Sequence, residues 1–165
     1  MPHPAPRHLK AATVITVSDR CAAGTAVDRS GPLAVEQLAA AGWHADQVLV
    51  PDDVTAIAGA IRAAVDAGSR LVVTTGGTGI AARDVTPEAT GPLLDRELPG
   101  IADTIRAVGV TQLPQAMLSR GLAGTVGPSL VVNLAGSTGA VRDGVPVILT
   151  IAEHVVAQLD GRDHA

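Results

Sequence analysis

The segment from Leu71 to Thr90 combines backbone amides and a carboxylate at a spacing suited to phosphate chemistry. It reads LVVTTGGTGIAARDVTPEAT, so a short apolar strand is followed by a Gly- and Thr-rich loop and then by Asp84. Glycines at 76, 77 and 79 allow a positive φ, which would leave their N–H groups free to bind a phosphate. Asp84 alone would repel that anion, so the pairing predicts a cation such as Mg²⁺ between them.

The same loop excludes two common nucleotide-binding motifs. No lysine follows Gly79, so the loop is not the GxxxxGK[ST] motif of P-loop kinases, and Gly77-Thr78-Gly79 is not continued to the third glycine of a dinucleotide-binding fingerprint. After the loop, Thr86 and Pro87 are predicted to be the N-cap and the first residue of a helix. An inert connection between a strand and a helix is the alternative interpretation of the segment.

Polar loops also follow three other predicted strands. They are Ser18-Asp19-Arg20, Pro51-Asp52-Asp53 and Asn133 to Gly139. Because the carboxyl ends of parallel strands meet at one edge of a sheet, where ligands bind, we expect these loops to converge with the loop that follows Leu71–Thr75. Two of the loops, at 75–79 and 135–139, are rich in backbone amides.

Together, these loops predict phosphoryl or nucleotidyl transfer. The two amide-rich loops would hold two anionic groups, and Asp52 and Asp84 would ligate a hard divalent ion that bridges them. Such chemistry needs positioning and charge neutralisation more than covalent participation by the protein. Arg20 or Arg83 would supply a cationic side chain.

Several of these side chains have a structural alternative. Either Asp52 or Asp53 would serve as the N-cap of the next helix, which would leave the other for a metal. Asp19 would equally cap the loop after the first strand. Ser137 is expected mainly to N-cap the helix that follows it, with any contact to a ligand secondary.

The composition predicts one domain over residues 11–165, preceded by a flexible tail at 1–10. A chain of this length buries roughly 70% of its extended surface without disulfides or a structural metal. Trp43 is the only aromatic residue, so the core must be packed from Val, Leu, Ile and Ala, which suits helices packed closely on a sheet. Cys21 is the only cysteine, which excludes a disulfide framework and a multi-Cys zinc site. It is expected to be a small filler residue near a loop, with a nucleophile as the alternative.

Charge and hydropathy exclude two classes of partner. The formal net charge is -4, the basic residues are scattered, and stacking aromatics are missing, so nucleic acid is not an expected partner. The N-terminal segment has no apolar core of a secretory signal, and no run approaches the ~20 apolar residues of a membrane span. The chain is therefore predicted to be cytoplasmic and not to associate with a membrane.

Strands alternate with helices along the chain. Strands are predicted at 13–17, 43–50, 70–75, 120–126 and 129–133, and helices at 30–42, 54–67, 87–94, 101–108, 115–119 and 145–159. This alternation predicts an α/β fold with three layers, in which a mostly parallel central sheet is covered by helices on both faces.

Seven motifs are distributed along nearly the whole chain. They are TVSDR (16–20), DRSGP (28–32), VPDD (50–53), TTGGTGIAARDVTPEAT (74–90), LPG (98–100), LSRGLAGTVG (118–127) and VNLAGSTGAV (132–141). Together and in this order they resemble the MogA/MoaB family of molybdenum-cofactor biosynthesis proteins. The combination of GGTG, RDVTPEAT and a downstream NL-x-G is highly specific, although Ala135 stands where the family usually has proline.

The resemblance implies a three-layer molybdopterin-binding fold and binding of molybdopterin, a pterin dithiolene with a terminal phosphate. It implies that this phosphate attacks the α-phosphorus of Mg·ATP, giving adenylylated molybdopterin and pyrophosphate. By motif match, Asp52 and Asp84 are expected to be the catalytic and metal-binding acids. The expected substrate-binding residues are Ser18, Asp19, Thr75, Gly76, Gly77, Thr78, Gly79, Gly136, Ser137, Thr138 and Gly139.

Three hypotheses follow from the residues and the resemblance. The first is a Mg²⁺-dependent molybdopterin adenylyltransferase that forms a homotrimer and supplies a downstream molybdate-insertion protein. The second is a MoaB-like carrier or scaffold that binds molybdopterin without consuming ATP. The third, a generic nucleotide phosphotransferase, is disfavoured by the missing Walker lysine. Formation of an AMP adduct from ATP, Mg²⁺ and molybdopterin discriminates the first two.

Overall fold

The computed structural model describes residues 10–162, which fold around one six-stranded sheet. In chain order the strands are β1 (Ala11–Val17), β2 (His44–Val50), β3 (Leu71–Thr75), β4 (Arg96–Glu97), β5 (Ala123–Val126) and β6 (Ser129–Leu134). The helices are α1 (Asp19–Ala22), α2 (Ser30–Ala40), α3 (Val54–Asp66), α4 (Thr86–Thr90), α5 (Pro99–Val110) and α6 (Thr138–Leu159). Two 3₁₀ turns, Gly91–Leu93 and Pro114–Leu118, complete the described elements.

The sheet is parallel over four strands and antiparallel at one edge. Its order is β2-β1-β3-β6-β5-β4. Strands β2, β1, β3 and β6 pair in parallel, whereas β5 runs antiparallel to β6 and β4 antiparallel to β5. The mostly parallel sheet predicted from the sequence is therefore confirmed, and the carboxyl ends of four strands lie along the same edge.

Successive residues of the central strands face opposite helical layers. On β3, Val73 packs in a cluster that contains Leu38 of α2 and Ile148 of α6. Its neighbour Val72 packs in a second cluster, which contains Ile57 of α3. Each face of the strand is thus covered by helices, which explains why every residue of β3 is buried. The predicted three-layer α/β/α arrangement is confirmed.

Aliphatic side chains build both cores, as the composition predicted. The largest fully buried side chains include Ile15, Leu38, Ile57 and Leu71, and burying each one stabilises the fold by about 1.5–3 kcal/mol. Trp43 is also buried, in the layer shared by α2 and α6.

The last helix differs most from its prediction. It was predicted over 145–159, but α6 spans Thr138–Leu159. Ser137 Oγ accepts a hydrogen bond from the Ala140 N–H at 3.0 Å, so the helix begins directly after the loop. Gly144 lies inside the helix and serves packing, because a Cβ there would lie 2.5 Å from Leu134 Cδ2. Pro146 remains inside the helix.

Two short elements, α1 and β4, were not predicted. Ser18 Oγ accepts a hydrogen bond from the Cys21 N–H at 3.2 Å and so caps α1, while β4 places Arg96 opposite Thr125 of β5. Elements of four and two residues contain too few positions for a periodic pattern.

The predicted tail at 1–10 lies outside the described residues except for Lys10. The Lys10 carbonyl accepts a hydrogen bond from the His44 N–H at 2.8 Å, and its ammonium group pairs with Glu153. Within residues 10–162, no helix has both the length and the apolar character that crossing a membrane would require.

Candidate functional site

The carboxyl ends of the parallel strands open onto a cleft of about 840 Å³. It is lined by most of the residues that the sequence singled out: Ser18, Asp19, Asp52, Thr75, Gly76, Gly77, Thr78, Gly79, Asp84, Gly136 and Thr138. Four loops that are distant in sequence therefore meet at one place, as the parallel topology requires.

The glycine loop after β3 turns sharply at its first two residues. Gly76 has a φ of 107° and Gly77 a φ of 68°, so the predicted positive φ is confirmed at both positions. Space is also restricted there, because a Cβ at Gly76 would lie 2.2 Å from the Val17 carbonyl oxygen. The prediction is wrong for Gly79, which is not among the glycines with positive φ. A Cβ at Gly79 would instead lie 2.8 Å from Asp84 Oδ2, so its small size serves a close approach.

The amides of this loop divide into one that is used internally and three that are not. The Gly76 N–H donates to the Leu134 carbonyl at 2.9 Å, so the prediction that this amide is free was wrong. The amides of Gly77, Thr78 and Gly79 make no hydrogen bond within residues 10–162. These three consecutive donors suit an anion.

The second amide-rich loop lies directly against the first. A Cβ at Gly136 would lie 3.0 Å from Gly76 Cα, so the two backbones touch at this point. Gly136 and Thr138 line the cleft, whereas Ser137 and Gly139 line a neighbouring cavity of about 270 Å³. Ser137 is the N-cap of α6, which is the structural role expected for it.

Thr86 fixes the base of the glycine loop rather than capping a helix. It was predicted to be the N-cap of α4, but Val85 is the N-cap and Thr86 is the first helical residue. The Thr86 hydroxyl donates to the Gly76 carbonyl at 2.9 Å, and the Thr86 N–H donates to the Gly77 carbonyl at 3.0 Å. The side chain is fully buried, so both hydrogen bonds are shielded from water.

The carboxylates of Asp52 and Asp84 flank the glycine loop. A Cβ at Gly77 would lie 3.2 Å from Asp52 Oδ1, just as one at Gly79 would contact Asp84. Asp84 Oδ2 accepts a hydrogen bond from the Ala81 N–H at 3.0 Å, which folds the carboxylate back over the loop. Both acids therefore lie beside the free amides of residues 77–79.

Asp53 N-caps α3 by accepting a hydrogen bond from the Ala56 N–H at 2.8 Å, which leaves Asp52 facing the cleft. The sequence did not decide which of the two acids caps the helix. In the structure Asp53 caps it and Asp52 lines the cleft.

Asp19 connects three of the loops. Its backbone N–H donates to Asp52 Oδ2 at 2.9 Å, and its Oδ1 accepts from the Asp52 N–H at 3.0 Å. Two nitrogens of Arg83 also donate to the Asp19 carboxylate, at 2.8 and 2.9 Å. The Arg83 guanidinium lowers the pKa of the Asp19 carboxyl below its ordinary value. The ends of β1 and β2 are in this way tied to the segment that precedes Asp84.

The two arginines predicted as cationic groups differ in whether they line the cleft. Arg20 lines the cleft, whereas Arg83 is paired with Asp19 and is not part of the lining. Cys21 lines the cleft from α1.

Sequence reasoning missed Arg120, which holds the loop around Asp84. Its Nε donates to the Gly79 carbonyl and one terminal nitrogen donates to the Asp84 carbonyl, both at 2.9 Å. Its other terminal nitrogen pairs with Glu88 of α4. The sequence marked this residue only as part of the LSRGLAGTVG motif at 118–127, which no local pattern links to the glycine loop.

The donor set at the cleft fits Mg²⁺. Within residues 10–162 there is no cluster of three or more His, Cys, Asp or Glu side chains suited to hold a metal by themselves. Asp52 and Asp84 are hard oxygen donors that both lie beside the loop, and Mg²⁺ is usually held by one or two carboxylates together with substrate phosphates. The cleft is therefore suited to a magnesium–phosphate complex rather than to a metal held by protein alone.

Comparison with known proteins adds a family. The family described as "Probable molybdopterin binding domain" matches residues 13–154 of this chain. A protein of Pyrococcus furiosus named molybdopterin adenylyltransferase is 39% identical over 148 residues, which are 87% of this chain and 87% of that protein. A crystal structure of a molybdopterin biosynthesis protein from Mycobacterium abscessus is 49% identical, has a TM-score of 0.88, and covers 93% of this chain and 98% of that one.

Other relatives are much longer than this chain. A protein of Synechococcus elongatus named molybdenum cofactor biosynthesis bifunctional protein is 42% identical over 154 residues, which are 93% of this chain but 48% of that protein. A protein of the same name from Chlorobaculum tepidum is 37% identical and is matched over 49% of its length. The chain thus spans about half the length of these curated relatives.

Proposed function

This chain belongs to the family of probable molybdopterin-binding domains, and from that premise we propose that it is a molybdopterin adenylyltransferase. It transfers AMP from ATP to the terminal phosphate of molybdopterin. The proposal is supported by relatives that carry the name of this enzyme and match most of the chain, such as the Pyrococcus furiosus protein. It is also supported by a cleft whose donors suit phosphates.

The reaction exchanges one phosphorus–oxygen bond for another. An oxygen of the molybdopterin phosphate attacks the α-phosphorus of ATP, and the bond between that phosphorus and the oxygen bridging to the β-phosphorus breaks. Pyrophosphate leaves with the electron pair of this bond, and adenylylated molybdopterin remains. No protein nucleophile is needed, so the task of the chain is to align the two phosphates and to offset their charge.

The observation that carries the proposal is the arrangement of Asp52 and Asp84 around the amides of residues 77–79. Mg²⁺ held by Asp52 and Asp84, when bound, would offset the charge of the reacting phosphates. The free amides would hold phosphate oxygens in place, and Arg20 lies at the same cleft to bind further negative charge. Asp19 keeps Asp52 in position through two reciprocal hydrogen bonds.

The wider assignments belong to the same proposal. We assign ATP and Mg²⁺ to this cleft, a homotrimeric assembly, a cytoplasmic location, and delivery of the product to a molybdate-insertion protein. Some relatives are bifunctional proteins about twice as long as this chain, which is consistent with a second activity acting on the product.

Replacing Asp84 with Asn tests the proposal. The change keeps the size of the side chain and removes its charge, so we expect adduct formation to fall by about a hundredfold, as for the loss of one electrostatic contact in a transition state. Each protein is incubated with ATP, Mg²⁺ and molybdopterin. Formation of the AMP adduct of molybdopterin and release of pyrophosphate are then measured. Asp46→Asn is the matched control, because Asp46 is exposed on β2 and does not line the cleft.

The outcomes separate the proposal from its alternative. Wild-type protein that binds molybdopterin but neither consumes ATP nor forms the adduct would be a carrier or scaffold, and the enzyme assignment would be rejected. Unchanged pyrophosphate release in Asp84→Asn would reject the role given to that carboxylate.

A further inference from the structure

One guanidinium spans the turn that carries the Asp84 carboxylate. Arg120 Nε donates to the Gly79 carbonyl, and one terminal nitrogen donates to the Asp84 carbonyl, both at 2.9 Å. Gly79 and Asp84 are the first and last residues of a six-residue turn, so the two hydrogen bonds fasten its two ends to a single rigid group. Within the turn, the Ala81 N–H donates to the Asp84 carboxylate and the Asp84 N–H donates to the Ala81 carbonyl.

A third contact fixes the guanidinium itself. The remaining terminal nitrogen of Arg120 pairs with Glu88 on α4, and the Arg120 guanidinium lowers the pKa of the Glu88 carboxyl below its ordinary value. The backbone of Arg120 is also held, because its N–H donates to the Thr78 carbonyl at 2.8 Å. The arginine is thus anchored at both ends of its side chain before it contacts the turn.

The segment that carries Arg120 is held in turn by α5. Arg106 donates to the Ser119 carbonyl at 3.2 Å and to the Gly121 carbonyl at 2.9 Å. The Ser119 hydroxyl donates to the Thr78 hydroxyl at 3.2 Å. Arg106 therefore links α5 to the segment 119–121, and Arg120 links that segment to the Asp84 turn.

We propose that Arg120 is the positioning residue that sets the Asp84 carboxylate beside the glycine loop for magnesium–phosphate binding. The inference rests on the proposed function for its catalytic consequence, but the geometric part concerns the chain alone. Arg120 does not line the cleft, so it acts through Asp84 and not on the phosphates themselves. Removing it should loosen the turn and weaken the response of the protein to Mg²⁺.

Arginine is required here because of its shape. A planar guanidinium donates in fixed directions to two carbonyls and a carboxylate at once, whereas a lysine ammonium is a single point on a flexible stem. Lys at position 120 keeps the charge and much of the apolar stem but cannot span both ends of the turn. Arg120→Lys therefore separates the positioning role from a role of charge alone.

The test measures turn mobility and Mg²⁺ dependence in Arg120→Lys and Arg120→Ala. The Ala81 and Asp84 amides donate to acceptors inside the turn. Their hydrogen exchange should accelerate by at least about tenfold, as expected from loss of one charge-assisted hydrogen bond. The Mg²⁺ concentration that gives half-maximal adduct formation should rise by about the same factor. Arg142→Lys, an exposed substitution on α6, is the control.

Each outcome decides the inference. If Arg120 had a purely structural role, its variants would melt at a lower temperature but show normal exchange in the turn and a normal Mg²⁺ response per folded molecule. That result would overturn the inference. Wild-type behaviour of Arg120→Lys would also overturn it, and this variant decides the matter if Arg120→Ala fails to fold. If wild-type protein forms no adduct, the proposed function fails, while the exchange rates still decide whether Arg120 positions the turn. Glu88→Gln should give a smaller acceleration, because both carbonyl contacts remain.

Discussion

The two ends of β3 use arginine in opposite ways. At the amino end, Arg70 is 2% exposed and its guanidinium donates to the Pro128 carbonyl and to both oxygens of Asp160. At the carboxyl end, Arg120 is partly exposed and contacts the edge of an open cleft. Arg70 joins the sheet to the end of α6 through a buried ion pair, whereas Arg120 holds a loop beside the cleft.

The difference follows from what each end leaves unsatisfied. At the amino end, the Arg70 N–H donates to the Ala11 carbonyl and the Leu130 N–H donates to the Arg70 carbonyl, so the backbone continues the sheet. At the carboxyl end, the three amides of residues 77–79 have no acceptor within residues 10–162. The unused amides therefore lie where the strand hydrogen bonds end, whereas the backbone groups at the opposite end are paired.

Asp160→Asn should have the largest effect on stability. Within residues 10–162, Asp160 is the one carboxylate that pairs with the buried Arg70. Because Asp160 is itself partly exposed, we expect the free energy of unfolding to fall by about 3 kcal/mol, the low end for a broken buried pair. Denaturant unfolding measures the change, and adduct formation per folded molecule should remain normal. The control is Glu153→Gln, whose pair with Lys10 is largely exposed and should contribute less than about 1 kcal/mol.

If Asp160→Asn instead impaired adduct formation as strongly as it impaired stability, the two ends of β3 would be coupled and the comparison would fail. A change in stability no larger than that of Glu153→Gln would mean that Arg70 is satisfied without Asp160.

Gly76→Ala should have the next largest effect, and at the cleft. Alanine at a φ of 107° is strained, and its Cβ would meet the Val17 carbonyl, so we expect a loss of about 2 kcal/mol in the free energy of unfolding. Adduct formation should be lost as well, because the loop must shift to relieve the contact. Gly59→Ala is the matched control, because Gly59 is an exposed residue of α3 where a Cβ would meet nothing within 4 Å, and alanine favours the helix.

These two predictions also indicate what the sequence can reveal. The strand–loop–helix units were predictable because β3 and its glycine loop are continuous in the chain, and the parallel topology then brought Asp52 to the same edge as Asp84. Arg120 could not be found in this way, because it reaches the loop from a segment more than thirty residues later, through contacts with backbone carbonyls. Such contacts impose no residue type on the partner, so no sequence pattern marks them.

Gly76 and Gly79 show a second limit of sequence reasoning. Both were predicted to supply a positive φ, yet only Gly76 does so, and Gly79 is small because Asp84 lies against it. A glycine in a sequence indicates either conformational freedom or a close neighbour, and only the packing distinguishes them. The last helix gives a further example, because Gly144 lies inside it at a close approach to Leu134.

The smallest expected effect concerns the pH response of the ion pair at the cleft. Hydrogen bonds from Arg83 lower the pKa of the Asp19 carboxyl, so its contribution to the folded state is present above the ordinary Asp pKa and is lost as the pH falls through the lowered value. Arg83→Gln should return the Asp19 pKa toward its ordinary value, which an NMR titration of the carboxyl carbon measures. Arg62→Gln, an exposed change on α3, should leave it unaltered. An Asp19 pKa that stays low without Arg83 would mean that the hydrogen bond from the Asp52 N–H governs this carboxylate. The carboxyl end of the sheet would then depend on backbone hydrogen bonds, as the amino end of β3 does.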